Sequence, residues 1–180
     1  MTRYVLTGLI ALSALAIPAC STAPSSESDR TSLRSEADAT LSTARTSDPT
    51  LGPVLDAAKG YAVFPTVGKG AIGIGGAYGR GVLYQAGAIV GYCDLTQASI
   101  GLALGGQAYS QIIAFSTDEA ISRFKSGNFA FAAQATAVAL KSGAGANAKY
   151  ADGVAVFTMS ESGLMYEASI GGQKFSYQPN

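Results

Sequence analysis

The chain has 180 residues, 48% of them hydrophobic and only 13% charged, with twelve basic and twelve acidic side chains and no histidine. The apolar share suffices for a real core, and the zero net charge removes any global attraction to nucleic acid. Without histidine there is no Ser-His-Asp or Cys-His nucleophile and no His-based metal site, and no imidazole can act as a switch near neutral pH.

The first twenty residues, MTRYVLTGLIALSALAIPAC, carry a basic start at Arg3, an apolar run from Val5 to Ile17 and a terminal cysteine. The run has signal-peptide length and is short for a membrane span. Ile17-Pro18-Ala19-Cys20 resembles a bacterial lipobox, in which the leader (residues 1–19) is removed and Cys20 is acylated. The alternative is an ordinary secretory leader with Cys20 incidental. Ser21, where an inner-membrane retention signal would carry Asp, favours the outer membrane, facing the periplasm. With Cys20 acylated, Cys93 has no partner for a disulfide.

Residues 21–32 are polar and read as a flexible tether. Leu33, Ala37, Leu41 and Ala44 then recur at helical spacing, which predicts an amphipathic helix from about Ser32 to Arg45 that packs against the domain. Residues 20–50 are therefore assigned to the lipidated cysteine, tether and helix, and 51–180 to a single domain. Asp48-Pro49 and Gly52-Pro53 punctuate the junction, and Pro53 to Lys59 reads as one or two helical turns.

Strand texture begins at Gly60. From Ala71 onward Ile72, Ile74, Tyr78, Val82 and Tyr84 fall on one face, and Ala71, Gly73, Gly75, Ala77, Gly79 and Gly81 on the other. Glycine weakens a strand unless something must approach closely or the sheet must bend, so this pattern predicts a tightly curved, closely packed sheet. Ser99 to Gly105 repeats the alternation, and Ala133, Ala135, Ala137 and Ala139 form a small face within 129–140. Ser116-Thr117-Asp118-Glu119 fits a capping box with Ser116 at the N-cap. The helix it opens turns Ala120, Ile121 and Phe124 inward and stops at Gly127. Val154 to Ser160 and Leu164 to Tyr177 flank Glu161-Ser162-Gly163, an expected hairpin turn. Gly105-Gly106-Gln107 recurs as Gly171-Gly172-Gln173, which suggests a repeated strand device. The expected fold is α+β, a predominantly antiparallel, strongly curved or barrel-like sheet with a few short helices.

Ala58-Lys59-Gly60-Tyr61-Ala62-Val63-Phe64-Pro65, Val67-Gly68-Lys69-Gly70 and Gly75-Gly76-Ala77-Tyr78-Gly79-Arg80-Gly81 together resemble the opening signature of the SYLF domain family, and the similarity extends over roughly residues 50–178. Eukaryotic members of that family bind phosphoinositide membranes, and yeast members bind actin filaments. The resemblance implies a non-catalytic module that contacts anionic phospholipid headgroups through basic residues of this block, namely Lys59, Lys69 and Arg80. Lysine would act as a point charge and arginine as a bidentate fork. In a bacterial envelope the ligand class shifts to phosphatidylglycerol, cardiolipin or lipopolysaccharide, an envelope protein is a second expected partner, and an actin role is discounted.

Other chemistry is thinly represented. Gly68-Lys69-Gly70-Ala71-Ile72-Gly73 fits G-x-G-x-x-G, but it opens a strand and not the helix whose N-terminus would receive a pyrophosphate. The acids sit singly at turns and a helix start, with no paired carboxylates or metal-ligand spacing. No cofactor, metal, nucleic acid or catalytic set is expected. A competing reading takes Gly75/Gly79, Gly87/Gly91 and Gly101/Gly105 as G-x-x-x-G pairs, a glycine-zipper packing region in a structural envelope lipoprotein with no lipid specificity.

Overall fold

The computed structural model describes residues 24, 26–72, 74–100, 105–127, 129–131, 136–160 and 167–180. Cys20 and the Glu161-Ser162-Gly163 turn lie outside them. Among the described residues three helices, α1 (Glu27–Ser47), α2 (Leu51–Ala57) and α3 (Asp118–Lys125), accompany eight strands. The strands are β1 (Gly60–Ile72), β2 (Ile74–Gln85), β3 (Ala88–Ile100), β4 (Gly105–Phe115), β5 (Thr136–Ala139), β6 (Val154–Ser160), β7 (Glu167–Ser169) and β8 (Gln173–Pro179). They form one sheet in the order β7-β5-β6-β4-β1-β2-β3-β8. All its ladders are antiparallel except β5–β6.

Alternation along the strands splits the apolar residues between two cores. One face of the sheet, here the outer face, buries Val63, Val82, Tyr84, Tyr92, Ile112 and Phe157 against Leu33, Ala37, Leu41 and Ala44 of α1 and Leu51 and Leu55 of α2. The inner face gathers Phe64, Leu95, Ile113, Phe115 and Phe175 with Ile121 and Phe124 of α3. The helical stripe read from the sequence is thus the packed face of α1, and the helix is longer than its stripe. Ser26 caps it by accepting the Asp29 N–H at 3.1 Å, with Glu27 and Asp29 in the first turn. Arg30 and Arg34 then lie over the Tyr92 ring at 5.1 and 5.6 Å, and Arg34 Nε donates to the Tyr92 hydroxyl at 2.6 Å. These cation–π contacts extend the helix beyond its apolar residues.

The sheet is strongly curved but is not a barrel. β4 and β8 lie on opposite sides of β1-β2-β3, yet the Gln111 and Gln173 side-chain amides bond one another at 2.9 and 3.1 Å across the inner face. Phe64 on β1 likewise reaches Phe175 on β8, with ring centroids 5.8 Å apart. Closure fails because β7 and β8 remain edges. Among the described residues the free side of β8 makes only an isolated bridge, Ala130↔Lys174, and α3 fills the adjacent space with Phe124 5.0 Å from Phe175.

The glycines serve the curvature. β1 shifts register between Val63 and Thr66, and there a Cβ on Gly81 would lie 2.7 Å from both Phe64 Cδ1 and the Val63 carbonyl oxygen. The bare backbone of β2 lets the Phe64 ring pack flat onto it. Gly75 and Gly79 lie in β2, Gly91 in β3 and Gly105 in β4, so their spacing marks no helix face and the glycine-zipper reading is corrected.

Three local expectations change. The cap of α3 is Thr117, accepting the Ala120 N–H at 3.2 Å, because the Ser116 hydroxyl is drawn to the Gly153 carbonyl at 3.2 Å; Glu119 therefore falls one position short of a capping box. β6 and β7 are not a hairpin, since β5 lies between them. The two GGQ strings differ too: the first lies within β4, whereas Gly171-Gly172 is a turn, with Gly172 at φ +75, that opens β8.

Candidate anionic-surface site

Cross-strand register sets the site. On the outer face, beyond the cover of α1, one row runs Thr66, Arg80, Asp94, Ser176 and the next Gly68, Tyr78, Thr96, Lys174. The backbone position of Lys69 follows directly, paired with Ala77 and Gln107. Arg80, Lys174 and Lys69 therefore fall within three residues of β1, a band about 10 Å deep along the strands, spread over β1, β2 and β8.

Lys59 stands apart. It is exposed at the opposite end of β1, where its N–H donates to the Phe115 carbonyl at 2.8 Å, about 23 Å from the level of Arg80. Two of the three cations expected from the sequence thus share one band, and Lys174 joins them. Lys174 has no counterpart in the signature block. The only sequence cue was its place after Gln173: alternation puts the one inward and the other outward.

Arg80 and Lys174 are exposed, and among the described residues neither makes an ion pair or a side-chain hydrogen bond. Asp94, opposite Arg80 in register, is only 3% exposed and already engaged: the Ser176 hydroxyl donates to Oδ2 at 3.1 Å, and the Tyr78 hydroxyl lies 3.4 Å from Oδ1. It is also the sole acid in the two rows. Tyr78 is 41% exposed between the two cations. Around it the surface is low: Thr66, Gly68, Thr96 and Ala98 line this face, and a Cβ on Gly68 would meet nothing within 4 Å. An exposed arginine fork, an ammonium and a phenol on a shallow face can hold phosphate or carboxylate oxygens.

Elsewhere the chemistry is packed away. Cys93 is buried, and burial, then the neighbouring Asp94 charge, pushes its thiol well up, so it is a packing residue and not a thiolate nucleophile. The Tyr109 phenol, which accepts from Gln173 Nε2 at 3.2 Å, is pushed up to about 12, chiefly by burial. A cavity of about 240 Å³ between the end of α1 and β5–β6 is lined by Thr43, Ser47, Leu140, Thr158 and Met159 among others, with no charged side chain. Among the described residues no group of three potential metal ligands occurs.

Residues 96–180 match the family model described as Ysc84, Las17-binding protein actin regulator. Over this span, just under half of the chain, the sequence is similar to that family, the SYLF domain. A curated relative, Beta cell expansion factor A of Aeromonas veronii, is 30% identical over 84 residues, which is 47% of this chain and 32% of that protein. The chain thus matches about a third of the relative's length. The SYLF match starts within β3, whereas the signature block forms β1 and β2. Those two strands sit between β4 and β3 in the sheet, so the matched segment and the block build one folded unit. The family is one of binding domains.

Proposed function

We propose that this protein is a non-catalytic, membrane-associated module that recognises anionic phospholipid headgroups at the bacterial envelope, with Cys20 as its lipid anchor. The observation that carries the reading is the pairing of Arg80 and Lys174 on one exposed face, without ion-pair partners among the described residues and with Asp94, the acid in their rows, buried and bonded elsewhere. Each cation near an anionic leaflet contributes about 1 kcal/mol, and a few together give weak, salt-sensitive attachment that an acyl anchor makes durable. Lys69, whose backbone lies at the same level but in the alternate row with Ala77 and Gln97, is assigned to the same membrane level from the other face, and Lys59 to a peripheral contact. An actin or Las17-type partner is the second reading the family name allows, and nothing in the site's geometry favours it.

The test is co-sedimentation of residues 21–180, which retain every described element, with phosphatidylglycerol-containing against purely phosphatidylcholine vesicles at low and high salt. Salt-sensitive binding to the anionic vesicles, lost in the double variant R80E/K174E, is expected. Equal binding to both vesicle types, or none, would reject the lipid assignment.

A further inference from the structure

Past the cationic band the sheet continues without charge. No Asp, Glu, Lys or Arg occurs from Gly70 to Gly79 or from Leu95 to Thr117. Within these stretches lie the far ends of four strands: β1 runs three residues past Lys69 to Ile72, β2 begins at Ile74, β3 ends at Ile100 and β4 begins at Gly105. Register gathers those ends at one place. Ile72 pairs with Ile74, Ile74 with Ile100, and Ala71 with both Gly75 and Gly105.

We infer that this end of the sheet, tipped by Ile72, Ile74 and Ile100, enters the interfacial zone of the bilayer while Lys69, Arg80 and Lys174 stay at headgroup level. The inference rests on the lipid reading above and deepens it. Three features on this end fit a lipid interface better than a protein groove. The cations precede the apolar tip in the order in which a bilayer presents phosphate and then hydrocarbon. From Lys69 to Ile72 is about 10 Å, the depth to which interfacial elements bury their apolar side. The β1–β2 and β2–β3 ladders persist to Ile72, Ile74 and Ile100 and the β1–β4 ladder to Ala71 and Gly105, so the two central strands enter with their backbone groups paired; the outer edges of β3 beyond Gln97 and of β4 before Tyr109 have no ladder partner among the described residues, which suits the hydrated interfacial zone and not the hydrocarbon core.

The chain contains no tryptophan, so one introduced residue is an unambiguous probe. In residues 21–180, Ile74→Trp is compared with Tyr150→Trp, an exposed position beside the Ala151↔Val154 bridge at the opposite end of the sheet. Phosphatidylglycerol vesicles carrying brominated acyl chains should blue-shift and quench the indole emission of the I74W variant and leave that of Y150W unchanged. Ile100→Trp is the second probe if I74W disturbs folding by circular dichroism. Ile74→Asn should weaken binding about tenfold at any salt concentration, in keeping with loss of one buried aliphatic side chain. Vesicle binding with the tip probes no more quenched than the Y150W control overturns insertion and leaves the lipid reading standing. Absence of vesicle binding removes both.

Discussion

At the scale of single residues, Asp48 is the most consequential side chain outside the candidate site. It is fully buried between α1 and α2 and accepts four hydrogen bonds. They come from the Thr50 N–H at 3.0 Å and hydroxyl at 2.7 Å, and from the N–H groups of Gly143 at 3.0 Å and Gly145 at 2.6 Å. Burial alone would raise its carboxyl, but these donors together outweigh burial and hold it below the ordinary value of 3.8. A depressed carboxyl contributes stability above its unfolded value and loses it as pH falls through the folded one. Thermal melts should therefore hold level from neutrality down to about pH 5 and then decline. Asp48→Asn should lower stability by about 1–3 kcal/mol at pH 7 and flatten that decline; an unchanged acid limb would exclude Asp48 as its source. The glycines give a sharper contrast. Gly81→Ala places a Cβ 2.7 Å from backbone and should cost about 1–3 kcal/mol, whereas Gly68→Ala meets open space and should be neutral or slightly stabilising. Equal melting shifts for the two would contradict the packing of Phe64 on β2.

At the scale of elements, α1 is part of the fold and not a detachable lead-in. Its stripe covers Val63, Val82, Tyr84, Tyr92 and Phe157, and the Tyr84 hydroxyl donates to Asp38 at 3.0 Å, which with burial raises that phenol. Leu41→Ala should destabilise by about 2 kcal/mol, and a chain beginning at residue 46 should bind a hydrophobic dye that residues 21–180 do not. A native-like melt without α1 would refute its structural role. The stripe was legible because four apolar residues at helical spacing have one good explanation. The first turn was not, because its residues are polar and its hold on Tyr92, through Arg30 over the ring, is a contact between residues far apart in sequence. β7 and β8 failed for a related reason: alternation runs smoothly through 164–177, and only Gly172 at positive φ marks the break.

At the scale of the whole molecule, curvature was legible in the glycine pattern, and openness was not, since closure depends on whether α3 or a strand lies beside β8. The site was half legible. Arg80 and Lys69 sit in the signature block, whereas their grouping with Lys174, and the separation of Lys59, needed the pairing of β3 with β8. The same geometry limits how the molecule can stand on a membrane. Ser26, the cap, lies six residue steps after Cys20, a reach of about 20 Å when extended. The start of α1 is fixed over Tyr92, and Ile100 lies eight residues further along β3, about 26 Å away. With Cys20 acylated and the tip about 5–10 Å deep, the two attachments are just compatible on one bilayer. Deleting Thr22, Ala23 and Pro24 halves the reach to about 10 Å. In the acylated I74W protein that deletion should leave membrane attachment intact and abolish quenching of the tip indole by brominated lipid, while three added Gly/Ser residues should preserve it. Full quenching after the deletion would mean that the anchor and the tip do not approach the bilayer in the orientation the strands impose, and the contact would then have to be sought on another face of the sheet.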